Sequence, residues 1–214
     1  MRIVCISDTH GRYNFKVPDG DVLLFAGDIS HNTLEDLNIR NFNKFLNKQP
    51  HKHKLIIPGN HDFFFEKYDS DVLLTSHDVY YLHQQEMIID GVKFYGSAFQ
   101  PKFYDWAFNL RRGEPLKLVW DMIPDDVDVL LTHTPPANIL DLTDRGDHTG
   151  CEDLMRRIPQ LKKLKLHCFG HIHSSHGMEE INGVKYVNAS ICNEEYEAEY
   201  EPIVIDIEGK KCDD

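Results

Sequence analysis

Five short apolar runs in this chain end in the same way, and that repetition limits the folds open to it. Residues 2–7 lead into Asp8-Thr9-His10-Gly11-Arg12, residues 21–26 into Gly27-Asp28, and residues 54–57 into Pro58-Gly59-Asn60-His61-Asp62. Residues 127–131 lead into Thr132-His133-Thr134-Pro135-Pro136, and residues 164–169 into Gly170-His171-Ile172-His173. Short apolar runs closed by turn residues read as buried strands. In open α/β sheets, ligands bind outside the carboxyl ends of the strands. Carboxylate, amide and imidazole groups at five such ends therefore predict an α/β fold with a polar site at the mouth of its sheets.

The segments between these runs fill in the rest. A helix is predicted over 33–47, capped by Thr33 with Asp36 in its first turn and carrying Leu34, Leu37, Phe42, Phe45 and Leu46 as its apolar stripe. Further helices are expected to begin at 63–65, to span 114–122, and to run from Cys151 to Ile158, opening at Gly150 and closing on Arg156-Arg157. Strands are expected at 79–82, 87–89 and 92–95, and again at 179–181, 184–187 and 203–207. Asp90-Gly91 and Asn182-Gly183 are hairpin turns by composition, so the sheet is mixed. The charged end, 208–214, reads as frayed.

With 214 residues and neither a repeat nor a linker, the chain is read as one domain, 1–214, able to bury a core without disulfides. Its five cysteines, Cys5, Cys151, Cys168, Cys192 and Cys212, are odd in number and contain no C-x-x-C pair, which points away from a disulfide framework or zinc ribbon. The run before Asp8 is too short for a signal-peptide core, and no stretch approaches a membrane span. A cytoplasmic protein without a membrane partner is expected. A formal net charge of -12 argues against a broad electrostatic hold on nucleic acid, though it leaves a small anionic substrate open.

Asp8 and His10 are two apart, as are His171 and His173, and in extended chain such residues point the same way. Taken singly, each is as well explained by a turn cap or a hydrogen-bonded structural histidine. Asp8, His10, Asp28, Asn60, His61, His133, His171 and His173 together form a set suited to first-row divalent cations, and to two ions rather than one. Asp28 is the natural bridge. The segment Gly96–Gly113, with Phe99, Phe103, Tyr104, Trp106 and Phe108, either lines a cleft able to stack on a flat ring or fastens a loop to the core.

The order D-x-H, G-D, G-N-H-D, H and G-H-x-H, spread over residues 8 to 173, resembles the calcineurin-like metallophosphoesterase superfamily. That resemblance implies a four-layer αββα sandwich of two mixed β-sheets. It further implies one metal on Asp8, His10, Asp28 and His173 and a second on Asp28, Asn60, His133 and His171. Two divalent ions are expected as cofactors, manganese first, with iron or zinc as alternatives. His61, left without a metal, is implied to be the general acid or a phosphate-binding cation. Asp62 either orients His61 or caps a helix.

Departures within the superfamily narrow the substrate. Ser30-His31-Asn32 replaces the acid and arginine that protein serine/threonine phosphatases carry after G-D. The same stretch is similar to SbcD-like nucleases, in which a histidine at the position of His31 assists on nucleic acid. The C-terminal half resembles the metallophosphoesterase-domain-containing subfamily of cyclic nucleotide phosphodiesterases and nucleotide binders. The matching stretches are Asp105-Trp106-Ala107-Phe108-Asn109-Leu110, Thr132-His133-Thr134-Pro135-Pro136, Gly150-Cys151, Phe169-Gly170-His171-Ile172-His173 and Val187-Asn188-Ala189-Ser190-Ile191-Cys192. Some members lack the first histidine of G-H-x-H, whereas His171 is intact here. The resulting expectation is a phosphodiesterase acting on a small phosphodiester or nucleotide through metal-activated water, with His31, Asn109, Arg111 and Arg145 as substrate-binding candidates. A nuclease and a non-catalytic interaction scaffold are the alternatives, and the oligomeric state is left open.

Overall fold

A computed structural model describes residues 1–31, 36–68, 70–75 and 78–208. The predicted cap at Thr33, Leu34 of the predicted stripe and the tail 209–214 lie outside the described residues. Strands β1 (Arg2–Ile6) and β2 (Val22–Ala26) precede helix α1 (Asp36–Asn47), β3 (His53–Ile57), the single-turn helices α2 (Phe64–Lys67) and α3 (Ser70–Leu73), and β4 (Val79–Tyr81). Then come β5 (Gln85–Ile89), β6 (Val92–Ser97), the two-residue β7 (Gln100–Pro101) and β8 (Asn109–Leu110), α4 (Glu114–Asp121), β9 (Val129–Thr132) and α5 (Glu152–Arg157). They are followed by β10 (Leu166–Phe169), β11 (Gly177–Ile181), β12 (Val184–Asn188) and β13 (Ile203–Asp206).

All of these strands except β7 and β8, which pair only with each other, form two mixed sheets. The first runs β13-β1-β2-β3-β4, parallel except for β13, and the second β11-β12-β10-β9-β6-β5, antiparallel only at its two edges. Both hairpins form where composition placed them. Asp90 and Gly91 have φ of 47° and 74°, and Asn182 and Gly183 of 52° and 80°, the doubly left-handed turn that matches strand twist.

The alternation of side chains sets the layers. Ile3 and Cys5 of β1 point into a core between the sheets, where they join Leu24, Leu55, Phe94, Leu131 and Cys168. Val4 and Ile6 point outward against Phe42, Phe45 and Leu46 of α1. On the far side, Leu116 and Trp120 of α4 and Leu154 of α5 cover Leu130, Phe169 and Tyr186 of the second sheet. The result is the αββα sandwich. Strands covered on both faces must be apolar throughout, which is why β2 is buried at all five positions. At α5 the cap is the Cys151 sulfur, which accepts from the Leu154 N–H, rather than Gly150.

The carboxyl ends of β1, β2 and β3 meet those of β9 and β10 along one seam. Ser7 bridges to Ser190, the Ile191 N–H donates to the Ser7 carbonyl, and the Gly170 N–H to the His133 carbonyl. No helix among the described residues is long and apolar enough to cross a membrane.

Candidate metal centre

Every one of the five polar strand ends reaches this seam. The Asp8 N–H donates to the Gly27 carbonyl and the His10 N–H to the Asp28 carbonyl, welding the first loop to the second. Asp8, His10, Asp28 and His171 have φ of 49°, 46°, 56° and 72°. Left-handed conformations are uncommon for residues with a side chain and gather at functional sites. Asp8 and His10 thus converge by left-handed turns beyond the end of β1, not as alternate residues of an extended strand. Two glycines make room for the ligands. A Cβ on Gly59 would sit 2.2 Å from Asp28 Oδ1, and one on Gly170 1.9 Å from Asp8 Oδ2.

Three of the histidines are oriented alike. Nδ1 of His10 lies 3.0 Å from the Ser30 carbonyl, Nδ1 of His133 2.8 Å from that of Ala26, and Nδ1 of His173 2.8 Å from that of Asn193. A carbonyl only accepts, so each Nδ1 carries a proton and each Nε2 turns its lone pair inward. The Nε2 atoms of His10 and His173 then face one another at 3.2 Å, and Nε2 of His133 faces Asn60 Oδ1 at 2.7 Å. Opposed acceptors repel unless a proton or cation lies between them. The donor set therefore fits divalent ions.

The carboxylates complete the arrangement. Asp28 Oδ1 accepts the His61 N–H at 2.9 Å, which turns Oδ2 toward His133, His10 and His61 at 3.5, 3.7 and 3.9 Å from their Nε2 atoms. Asp8 Oδ2 is held by the Ser190 hydroxyl and the His171 N–H, both at 2.9 Å, while Oδ1 lies 3.5 Å from His173 Nε2. Asp8, His10 and His173 bring their ligand atoms within 4.8 Å of one another, as do Asp8, Asp28 and His133. His171 joins no such group among the described residues, although its ring lies 5.0 Å from that of His133.

Burial opposes charge on the Asp8 carboxylate, but the bond to His173 and the nearby imidazoles hold it well below the usual range. Asp28 is likewise held low against burial, by His133 and His61. Burial also works against protonating His133 and His173, yet Asp28 and Asp8 lift each to about 9. At His10 and His171 burial prevails, with values of about 4 and 3. The protons on His133 and His173 are those a divalent cation would displace.

His61 stands apart from the backbone-oriented histidines. Its Nδ1 is buried without a partner, and burial lowers its basicity. The His31 ring, exposed, stacks on it at 5.9 Å and 10°. Asp62 neither orients His61 nor caps α2, whose N-cap is Phe63. Its carboxylate instead accepts the N–H groups of Gly59, Ile29 and Ser30 and the Ser30 hydroxyl.

A cleft of about 550 Å³ opens over the centre, lined by Asp28, Asn60, His61, His171 and His173 and bounded by Phe103, Tyr104 and Trp106. The aromatic segment is divided. Ala107 and Phe108 are buried and fasten it to the core, while Phe103 and Tyr104 are exposed. Trp106 lies between, 5.2 Å from the His61 ring. Arg145 lines the cleft beside Asp144 and Asp147. Arg111 is exposed and is not among the lining residues. Asn109 is spent on the loop, its amide donating to the Phe103 and Tyr104 carbonyls at 3.2 and 3.1 Å. Arg112, weighed with Arg111 and Arg145 as a phosphate or sugar contact, lines the cleft pinned to the Thr149 and Gly150 carbonyls. Tyr196 lines it too, from an acidic run, Glu194-Glu195-Tyr196-Glu197, with no pattern that marks it as part of a site.

A family model described as "Calcineurin-like phosphoesterase" matches residues 1–175. The chain is 36% identical over 232 residues to "Metallophosphoesterase domain-containing protein 1" of Homo sapiens, an alignment covering 96% of this chain and 71% of that protein. It is 38% identical over 226 residues to "UPF0046 protein K07C11.7" of Caenorhabditis elegans, covering 98% and 76%. Among solved structures, TT1561 of Thermus thermophilus matches with a TM-score of 0.58 over 87% of this chain and 88% of that one. At 15% identity, that likeness bears on the fold alone.

Proposed function

The chain belongs to the calcineurin-like phosphoesterase family of metal-dependent hydrolases of phosphoester bonds, and on that premise we propose that it hydrolyses a small phosphodiester, a cyclic nucleotide first among candidates, at a centre of two divalent ions. The observation that carries this reading is Asp28 Oδ2, an oxygen fixed by the Oδ1 bond to His61 N–H and faced by three imidazoles within 3.9 Å. An oxygen so placed suits a shared ligand. Asp8, His10 and His173 would complete one ion's shell, and Asn60, His133 and His171 the other's. A pair of divalent ions supplies Lewis acidity toward phosphoryl oxygens and neutralises charge in an in-line displacement.

The remaining work falls to the chain itself. His61, left out of both shells, delivers a proton to the departing oxygen from Nε2 when its ring is protonated, the form that the Asp28 carboxylate facing Nε2 favours and burial opposes. Asp62 keeps the loops bearing Asp28 and Asn60 in register. Arg145 draws the phosphate's charge into the cleft, and Trp106 shields His61 from water on one side. The aromatic lip supports a diester over a monoester, because it offers apolar surface to a second organic group that a monoester lacks.

The test is turnover by purified protein loaded with Mn²⁺, comparing bis(p-nitrophenyl) phosphate, p-nitrophenyl phosphate and cyclic nucleotides. Diester turnover above monoester turnover is the expected result. Hydrolysis of neither the diester nor any cyclic nucleotide would overturn the proposal. The parallel stack of His31 on His61 favours a nuclease as the second reading, and faster turnover of single-stranded or duplex DNA than of cyclic nucleotides would select it.

A further inference from the structure

Between β12 and β13 the chain crosses the seam and folds into a small turn over the metal centre. Cys192 bridges antiparallel to Ala198, and the Asn193 N–H donates to the Glu197 carbonyl. Asn193 organises this turn. Its Oδ1 accepts the N–H groups of Glu195 and Glu197, both at 3.0 Å, while its carbonyl receives both His173 Nδ1 and the Tyr196 N–H. The carbonyl that orients a metal-site histidine is thus also the one that fixes Tyr196.

Tyr196 has φ of 60°, a seat at the end of a tight turn that glycine would take by default. Arg12, from the first motif, donates to its carbonyl at 3.2 Å. The backbone gives no reason for a large side chain here, so the reason lies in what the ring touches. Its centroid is 4.5 Å from that of His31 and 4.7 Å from that of His10, both edge-on, 5.5 Å from His173 and 6.2 Å from His61. One phenol ring meets four imidazoles, two of them in the group with Asp8. With Trp106 near His61 at 5.2 Å, a second aromatic ring borders the centre.

We propose that Tyr196 is a positioning residue of the metal centre, its ring bracing the imidazoles of His10 and His173 so that the Asp8–His10–His173 group holds its ion. The proposal rests on the metal-dependent reading above and goes beyond it in assigning a residue outside all the sequence motifs. Groups that orient metal-binding histidines set affinity by about 10–100-fold.

The experiment is calorimetric titration of the full metal-free chain with Mn²⁺, for wild type, Tyr196→Gly and Tyr196→Phe, with thermal unfolding of each metal-free protein alongside. Glycine relieves the left-handed backbone while removing the ring, so the expected result is an unfolding midpoint at or above wild type with Mn²⁺ affinity about 10–100-fold weaker. Phenylalanine keeps the ring and is expected to restore affinity to within about twofold of wild type. Wild-type affinity in a folded Tyr196→Gly protein, or a Tyr196→Phe protein as weak as the glycine variant, overturns the proposal alone. Failure of the wild type to bind Mn²⁺, Fe²⁺ or Zn²⁺ would overturn the metal-dependent reading and this proposal with it.

Discussion

Asp62 and Ser30 are joined twice, the Asp62 Oδ1 oxygen accepting the Ser30 N–H at 3.0 Å and the Ser30 hydroxyl at 3.1 Å. The other oxygen takes the N–H groups of Gly59 at 2.8 Å and Ile29 at 3.1 Å. One fully buried carboxylate therefore ties the loop after β2 to the loop after β3. Asp62→Asn keeps the shape but turns an NH₂ group toward N–H donors. We expect a loss of about 1.5–3 kcal/mol of stability, the range for hydrogen bonds to charged groups, together with weaker Mn²⁺ binding. Urea unfolding of the metal-free protein measures the first, and a change under about 0.5 kcal/mol, ordinary for a surface substitution, would contradict it.

Gly170→Ala separates crowding from backbone strain, because Gly170 is absent from the left-handed glycines. The new methyl would fall 1.9 Å from Asp8 Oδ2 and 2.2 Å from Ser7 Oγ, so Asp8 must shift. The expected outcome is a folded protein whose Mn²⁺ affinity drops by about tenfold or more, the scale for displacing an anchored ligand. Unchanged affinity by calorimetry would mean that Asp8 holds no ion.

His61→Ala distinguishes a proton donor from a ligand. Metal content by atomic emission should stay at the wild-type level while turnover falls by about 10²–10⁴-fold, the usual contribution of a general acid or base. Loss of an ion would place the imidazole in a shell instead.

The layers and the convergence of strand ends were legible because each depends on local pattern: apolar runs closed by polar turns, and the two Asx-Gly hairpins. The means of convergence was not. Asp8 and His10 read as alternate residues of a strand, but left-handed turns bring them together, and although Asp and His take such dihedrals more readily than most residues, residue type alone does not say which of them will. Asp62 read as a cap or a histidine partner because its donors, Ile29 and Ser30, are some thirty residues away in sequence. Asn109 read as a substrate contact because nothing in a sequence reveals that an amide is occupied by its own loop. Tyr196 lay in an acidic stretch resembling solvated surface, and only tertiary packing puts its ring among histidines.

His167 gives a pH dependence independent of the metal ligands. It sits fully buried in β10 between the rings of Phe169 and Tyr186, at 4.9 and 5.9 Å. The Thr132 hydroxyl donates to the Thr134 carbonyl, so His167 Nε2 must donate to Thr132 Oγ1, at 2.8 Å, leaving Nδ1 bare and unpartnered. Burial lowers the ring from 6.5 to about 3, so the folded state keeps it neutral where the unfolded state takes up a proton. The stabilising contribution is complete above pH 6.5 and is lost as the pH falls from there toward 3, by up to about 1.4 kcal/mol per pH unit. His167→Phe removes the titration while Thr132 keeps its bond to Thr134. Urea unfolding of both metal-free proteins between pH 7 and pH 4, a window set by these values, should give a shallower acid decline for the variant. Two parallel curves would mean that the buried ring does not resist protonation.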